Sequence, residues 1–268
     1  MIYDLNHYLE WFENYSEGFS GDGNPEDQAN LAIKKEHSLR VLDNALRISA
    51  SLELHGVLAQ LTHLAALFHD VGRFPQYQQF RTFNDRNSAN HAALSVEVLR
   101  KTDALCKLTP QHRRMVLGAI FLHNRQFIPT TIPSLLGIIT RIVRDADKLD
   151  IFPVLIAHFS PDFPANGVVT LDLRPHPTAY TESIFCKVLS GETGKYEEMI
   201  WINDLKLLLC SWVYDLNFPV SRKIVLQAGY LDAIFGSLPP DPKFIALRQQ
   251  LTQELSVGVE ASRKGAMG

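Results

Sequence analysis

Residues 58–72 have the sequence LAQLTHLAALFHDVG, in which apolar side chains recur at helical spacing. The apolar stripe consists of Leu58, Leu61, Ala65 and Phe68. At about 100° per residue, His69 lies roughly 20° from Leu58 and therefore faces the same interior. We expect Gly72 and Pro75 to end the helix just after Asp70. The segment predicts an amphipathic helix that carries a histidine and a carboxylate to the interior at its C-terminal end.

The first 150 residues repeat this pattern of amphipathic helices. Asn24-Pro25 and Thr109-Pro110 each combine an N-cap residue with a proline at the first helical position, and Ser134 opens a further helix. Side chains that can bind metal lie on or beside the apolar stripes, which predicts an all-α protein with polar groups inside. The six candidates expected to face one interior are His37, His69, Asp70, His91, His123 and Asp147.

The composition predicts a soluble protein with a large core. The chain has 268 residues, of which 46% are hydrophobic, enough for one large domain or for a domain with an elaboration. Its net charge of −3 gives no general attraction for nucleic-acid polymers or membranes, whereas a small phosphorylated ligand is compatible. The N-terminus has no basic and apolar leader, so we expect no signal peptide.

The cysteines predict a reducing compartment. They have no paired spacing and lie in apolar helical patterns, so we expect buried free thiols. These residues are Cys106, Cys186 and Cys210. The predicted location is therefore the cytoplasm.

Each candidate ligand also has an ordinary structural explanation. A single histidine on an apolar helix face is more often a core residue with satisfied hydrogen bonds than a metal ligand. The adjacent His69-Asp70 pair is more informative, because a carboxylate at the inward end of an apolar helix needs an ion pair or a metal. For Asp147, the ordinary explanation is an ion pair within its own helix. The possible partners there are Arg141, Arg144 and Lys148.

Three segments, in order, resemble the signature of the HD-domain superfamily of metal-dependent phosphohydrolases. They are His37, the run HDVGR at residues 69–73 and the run DADKLD at residues 145–150. In that superfamily a histidine, a His-Asp doublet and a later aspartate that follows alanine bind one divalent metal. The resemblance implies a helical bundle and the first-metal ligands His37, His69, Asp70 and Asp147. Asp145 and Asp150 are turned about 160° and 60° from Asp147, so we expect them beside the site or at the surface.

His91 and His123 lie between the doublet and the final aspartate, which resembles the branch of the superfamily that holds two metals. In that branch Asp70 would bridge both ions, and the two histidines would bind the second. Mononuclear nucleotidase and alarmone-hydrolase relatives place an acidic residue shortly after the doublet, whereas residues 71–73 here are Val-Gly-Arg, which favours the two-metal mechanism. The Gly-Arg continuation is similar to two-metal cyclic-nucleotide phosphodiesterases. Residues 229–231 are Gly-Tyr-Leu, so the Gly-Tyr-Pro element of cyclic-di-GMP hydrolases is absent.

The ligand types predict the chemistry. Imidazole and carboxylate ligands suit Mn, Fe, Zn, Co or Ni better than Mg, so we expect one or two divalent transition-metal ions. Such ions provide hydroxide and polarise a phosphoryl group, which predicts hydrolysis of a nucleotide, cyclic nucleotide or other small phosphate ester. The predicted catalytic residues are Asp70, Arg73 and Lys148. The two cations would serve phosphate oxygens, and an exposed solubilising charge is the alternative for each.

The predicted organisation has four parts. They are an N-terminal helix and loop at 1–29, the metal-binding helical domain at 30–155, a mostly helical C-terminal extension packed on it at 156–255, and a disordered tail at 256–268. Residues 168–173 predict a short strand. Residues 74–90 are either a substrate rim or an ordinary connector. The sequence leaves a homodimer open.

Two other functions stay open. A few superfamily members with a similar ligand set are di-iron oxygenases that cleave C–C or C–P bonds with dioxygen. Two irons, oxygen consumption and no phosphatase turnover would indicate that function. The third alternative is a non-catalytic ligand-binding module on the same fold. The complete ligand set argues against it, because a site without catalysis has no need to keep six metal ligands.

Overall fold

The computed structural model describes residues 3–19, 24–160, 162–163 and 166–265. In this part of the chain every regular element is helical, which confirms the predicted all-α fold. The chain divides into two compact units, Met1–Asp150 and Ile151–Gly268. This division falls inside a helix, whereas we placed the domain boundary after residue 155.

The first unit is built from helices, of which those that begin at Pro25, Pro110 and Ser134 begin where the sequence predicts. Its helices are α1 (Leu5–Glu17), α2 (Pro25–Ser51), α3 (Gly56–Phe68), α4 (Arg73–Phe80), α5 (His91–Lys101), α6 (Pro110–Leu122) and most of α7 (Ser134–His158). The side chain of Asn24 caps α2, and that of Thr109 caps α6. A 3-10 helix, Asp85–Asn87, precedes α5, so residues 74–90 are largely helical.

Helix α3 lies at the centre of the first unit, where it packs against α1, α2 and α6. Its side chains that are almost completely buried include Leu61, Leu64, Ala65 and Phe68. A large apolar side chain contributes about 1.5–3 kcal/mol when it leaves water, so this packing stabilises a helix with almost no charged residues. Because His69 follows α3 directly, the helix carries it into the interior, where it is fully buried.

The His-Asp doublet lies in a tight turn between α3 and α4. Helix α4 has already begun at Pro75, so this proline does not terminate α3 as predicted. The turn is fixed to α5 by Ser95, whose hydroxyl donates to the carbonyl of His69 and accepts from the amide of Gly72, both at 2.8 Å. A Cβ at Gly72 would lie 2.3 Å from the Ser95 nitrogen, so only glycine permits this approach.

The second unit is also helical. It contains α8 (Glu182–Leu189), α9 (Ile202–Ser211), α10 (Pro219–Gln227), α11 (Tyr230–Gly236) and α12 (Pro242–Gly265), with 3-10 helices at Tyr196–Glu198 and Trp212–Asp215. None of the helices in the described part of the chain is both long enough and apolar enough to cross a membrane.

Three predictions outside the metal-binding helices need correction. Residues 168–173 form turns rather than a strand, because the amides of Thr170 and Asp172 bond to carbonyls four and five residues earlier. The expected disordered tail continues α12 as far as Gly265, and residues 266–268 lie outside the described part. Cys106 and Cys186 are exposed because one lies in a turn and the other on the outer face of α8; only the third predicted thiol, Cys210, is buried.

Candidate metal centre

The structure brings the six candidate ligands together from five helices or their ends. Helix α2 carries His37, the turn after α3 carries His69 and Asp70, α5 begins with His91, His123 follows α6, and α7 carries Asp147. Five of them are buried, and the Asp147 side chain is 21% exposed. They form three overlapping groups of three whose ligand atoms lie within 4.8 Å of one another. Their role as metal ligands stays a prediction.

Three of the other candidates lie around the imidazole of His37. Its Nε2 lies 3.2 Å from Nε2 of His69, 3.2 Å from Oδ1 of Asp147 and 3.5 Å from Oδ2 of Asp70. Donor atoms that share one ion at about 2.0–2.2 Å lie roughly 3–3.5 Å apart. His37, His69 and Asp70 form one of the groups that fit a single divalent transition metal, and Asp147 reaches the same imidazole while it groups with His69 and His123.

The other oxygen of Asp70 faces a second group. Oδ1 of Asp70 lies 3.5 Å from Nε2 of His91, which in turn lies 3.1 Å from Nε2 of His123. The two oxygens of one carboxylate are thus divided between two sets of imidazole nitrogens, as a bridging ligand requires. His123 also groups with His69 and Asp147, so the two sets are contiguous.

Two of the histidines are oriented by backbone carbonyls. Nδ1 of His69 lies 2.7 Å from the carbonyl oxygen of Ala66, and Nδ1 of His123 lies 2.6 Å from that of Ile120. A carbonyl can only accept, so Nδ1 carries the proton in both rings. In a neutral imidazole this leaves the lone pair on Nε2, the nitrogen that faces the other candidate ligands.

The other two histidines are oriented by carboxylates. Nδ1 of His37 lies 2.7 Å from Oδ2 of Asp150, and Nδ1 of His91 lies 2.6 Å from Oδ2 of Asp85. Each carboxylate fixes the ring and makes its Nε2 a stronger donor to a metal. All four histidines therefore present the same nitrogen to the centre. Asp150 is one of the residues that we expected beside the site.

Each supporting carboxylate is paired with an arginine. Asp150 accepts from Nε of Arg40 at 2.5 Å, and Asp85 accepts from a terminal nitrogen of Arg73 at 2.8 Å. Asp85 also accepts from the side-chain amide of Gln76 at 3.0 Å. Together with the hydrogen bonds to the two histidines, these contacts outweigh burial and hold the pKa of both carboxylates below its usual range.

The candidate carboxylate ligands are also ionised. Burial raises the pKa of Asp70, but the charges of Lys34 and Arg73 outweigh it and hold that pKa well below its usual range. For Asp147, its close contacts with the imidazoles of His37 and His69 outweigh burial, and the pKa is again well below its usual range. Metal binding requires this ionised state.

The histidines differ in protonation. Burial, reinforced by two neighbouring histidines, lowers the pKa of His123 to about 3. Burial and a nearby arginine also lower the pKa of His91. For His37, burial and a nearby lysine lower the pKa, but hydrogen bonds with two aspartates outweigh them and leave it raised. His91 and His123 are therefore neutral, as ligands must be.

The two predicted catalytic cations, Arg73 and Lys148, lie in different surroundings. Nε of Arg73 lies 3.3 Å from Oδ1 of Asp70, and one of its terminal nitrogens is occupied by Gln76, Asp85 and the Phe83 carbonyl. Lys148 is buried on α7 directly after Asp147.

No sequence motif assigns a role to Lys34, whose Nζ lies 3.0 Å from Oδ2 of Asp70. The helical spacing could have indicated that Lys34 lies near the site, because it precedes His37 by three positions on α2 and therefore lies on a neighbouring face. Asp85 lies within residues 74–90, for which the sequence predicts either a substrate rim or an ordinary connector. Its contact with His91 depends on the turn formed by Asp85–Asn87, which the sequence did not predict.

Comparison with family models identifies the segment that holds this site. Residues 35–151 match the family described as HD domain. This range contains all six candidate ligands and ends one residue after Asp150. Comparisons with curated proteins and with solved structures gave no match.

Proposed function

Because residues 35–151 of this chain belong to the HD-domain family, we propose that it is a metal-dependent phosphohydrolase with a two-metal centre. The substrate is a small phosphate ester, such as a nucleotide or a cyclic nucleotide. The observation that carries the proposal is the division of the Asp70 oxygens. Oδ2 faces the imidazole of His37 and Oδ1 faces that of His91, each at 3.5 Å.

The residues of the centre have distinct roles in this proposal. His37, His69, Asp70 and Asp147 hold the first ion, and Asp70, His91 and His123 hold the second. Such a pair of ions supplies hydroxide near neutral pH and polarises the phosphoryl group. The four imidazoles, with their Nδ1 atoms fixed, favour Mn, Fe, Zn, Co or Ni over Mg.

Arg73 has two tasks in the proposed site. It holds Asp70 and Asp85 through Nε and one terminal nitrogen. Its other terminal nitrogen makes no hydrogen bond with the described residues and can donate to a substrate oxygen. Lys148 stays a second proposed cation, because it follows Asp147 directly on α7.

The proposal is tested by metal content and turnover. Protein purified without chelator is analysed for metals and then screened against phosphomonoesters and cyclic nucleotides with added Mn²⁺. We expect two ions per chain and hydrolysis, both lost in His69→Ala and Asp70→Ala. The matched control is His55→Ala, because His55 is exposed and its side chain caps nothing. Unchanged metal content and turnover in the two site variants would contradict the proposal.

A second candidate is a di-iron oxygenase. It is favoured by the same observation of four imidazole donors and a shared carboxylate, because this ligand set also suits iron. The two functions differ in their products. Two irons, consumption of dioxygen and no release of phosphate from any ester would support the oxygenase and reject the phosphohydrolase.

A further inference from the structure

We infer that Lys34 binds a non-bridging oxygen of the substrate phosphoryl group, an inference that rests on the proposed phosphohydrolase function. Lys34 lies on α2, three residues before His37, and its Nζ lies 3.0 Å from Oδ2 of Asp70. The ammonium is therefore beside the carboxylate that faces both groups of histidines. A phosphate held between two ions at Asp70 would lie within reach of it.

Lys34 differs from Arg40 and Arg73, the two arginines beside the centre, in its ion-pair partner. Arg40 is paired with Asp150, and Arg73 with Asp85, and both of these carboxylates support a histidine. The ion-pair partner of Lys34 is Asp70 itself. Once Asp70 shares its charge with metal ions, Lys34 has no carboxylate of its own. An oxyanion that enters the site is the partner that satisfies it.

The hydrogen-bonding capacity of Lys34 is also largely unused. Its ammonium has three N–H donors, and its hydrogen bond within the described chain goes to Asp70. The ring of Phe83, with its centroid 5.1 Å from Nζ, holds the ammonium in position by a cation–π contact. The Lys34 side chain is 16% exposed, so solvent and a substrate can reach it.

A purely structural role for Lys34 makes a different prediction. If the lysine served only to hold Asp70, its removal would displace this carboxylate and weaken metal binding. If it binds substrate, its removal leaves the metal ligands in place. Metal affinity would then be unchanged or higher, because the lysine no longer competes for Oδ2 of Asp70.

The experiment measures binding of inorganic phosphate to the full-length, Mn²⁺-loaded protein by titration calorimetry, with metal content determined on the same samples. The variants are Lys34→Met, Lys34→Gln and Lys34→Arg. The matched control is Lys35→Met, because Lys35 is the next residue and is paired with Glu17 on α1. Two neutral replacements are used so that the test survives if one of them fails to fold.

We expect Lys34→Met and Lys34→Gln to bind phosphate about ten- to a hundredfold more weakly, the range for a lost charged hydrogen bond. Lys34→Arg should retain part of the affinity, and Lys35→Met all of it. Metal content should stay at the wild-type level in every variant. Wild-type phosphate affinity in both neutral variants would overturn the inference, and so would a joint loss of metal and phosphate.

These failures are distinguishable from failure of the proposed function. If wild-type protein takes up metal, hydrolyses a phosphate ester and binds phosphate no better than the neutral variants do, only the role of Lys34 is rejected. If wild-type protein takes up no metal or binds no phosphate, both the proposed function and the role of Lys34 are rejected.

Discussion

The imidazole of His91 lies with Nδ1 2.6 Å from Oδ2 of Asp85, and its opposite nitrogen faces Oδ1 of Asp70 at 3.5 Å. The carboxylate of Asp85 thus determines which nitrogen of His91 is free to bind a metal. The same relationship joins His37 to Asp150 on the other side of Asp70. Each half of the centre therefore has one histidine whose orientation depends on an aspartate outside the ligand set.

Replacing Asp85 by asparagine should weaken the second metal selectively. An amide nitrogen that faces Nδ1 of His91 would donate to it, which places the ring proton on Nε2 and removes the lone pair from the centre. We expect the affinity for the ion at His91 and His123 to fall about 10- to 100-fold. Competition with a chromophoric chelator measures both affinities, and Asp43→Asn, at an exposed position on α2, is the control.

A double-mutant cycle separates this role from a general loss of structure. If Asp85 acts through His91, adding Asp85→Asn to His91→Ala should cause no further loss of metal affinity. Additive losses in the double variant would show that Asp85 acts elsewhere, for example through its contact with Arg73.

Gly72→Ala should destabilise the turn that carries the doublet. Its Cβ would lie 2.3 Å from the Ser95 nitrogen and 2.6 Å from the His91 carbonyl oxygen, so α5 would have to move. Overpacking of this kind costs about 1–3 kcal/mol or more, and a displaced α5 also moves His91. We expect a lower free energy of unfolding in urea, together with weaker metal binding.

The matched control for this substitution is Gly236→Ala. No atom lies within 4 Å of a Cβ at Gly236, which ends helix α11. Alanine is favoured over glycine in a helix, so this change should be neutral or stabilising by up to about 1 kcal/mol. Equal stability of the two variants would contradict the close approach of α5 at Gly72.

The sequence could predict elements whose cause is local. Proline and cap residues gave the starts of α2 and α6, and the period of α3 predicted that His69 faces inward. The position of the His-Asp doublet could be predicted, but the need for glycine at position 72 could not. That need arises because Ser95 approaches Gly72 from another helix. Contacts of this kind join residues far apart in the chain.

The supporting residues were harder to predict for the same reason. Lys34 meets Asp70 only when α2 packs beside the turn after α3, and Arg40 meets Asp150 only when α2 packs beside α7. Their charges on an amphipathic helix would ordinarily be solvated. Exposure of Cys106 and Cys186 was missed because hydrophobic periodicity is ambiguous where helices are short or end in turns.

The burial of Lys206 predicts that the stability of the second unit depends on pH. This residue is 7% exposed, and burial lowers the pKa of its ammonium to about 8. The unfolded chain, with a lysine pKa of about 10.4, binds the proton more tightly between these values, so stability rises with pH across this window.

The measurement compares wild type with Lys206→Met. The difference in the free energy of unfolding, wild type minus variant, should rise by roughly 1 kcal/mol per pH unit between pH 8 and about 10. Subtracting the variant cancels the titration of other groups. A difference that is independent of pH in this window would show that the ammonium of Lys206 is not desolvated in the folded chain.

Metal should stabilise the folded protein through Asp70. The six candidate ligands are spread from His37 to Asp147 and come together only in the folded chain, so an ion binds the native state in preference to the unfolded state. At a free Mn²⁺ concentration 100 times the dissociation constant, the stabilisation is about 2.7 kcal/mol per ion, and chelator should reverse it.

Thermal unfolding with and without Mn²⁺ measures this stabilisation as a shift of the unfolding midpoint. Asp70→Asn should abolish most of the shift, because a neutral amide replaces the carboxylate whose two oxygens face the two groups, while Asp43→Asn should retain it. An equal shift in both variants would mean that the stabilising ion binds elsewhere in the chain.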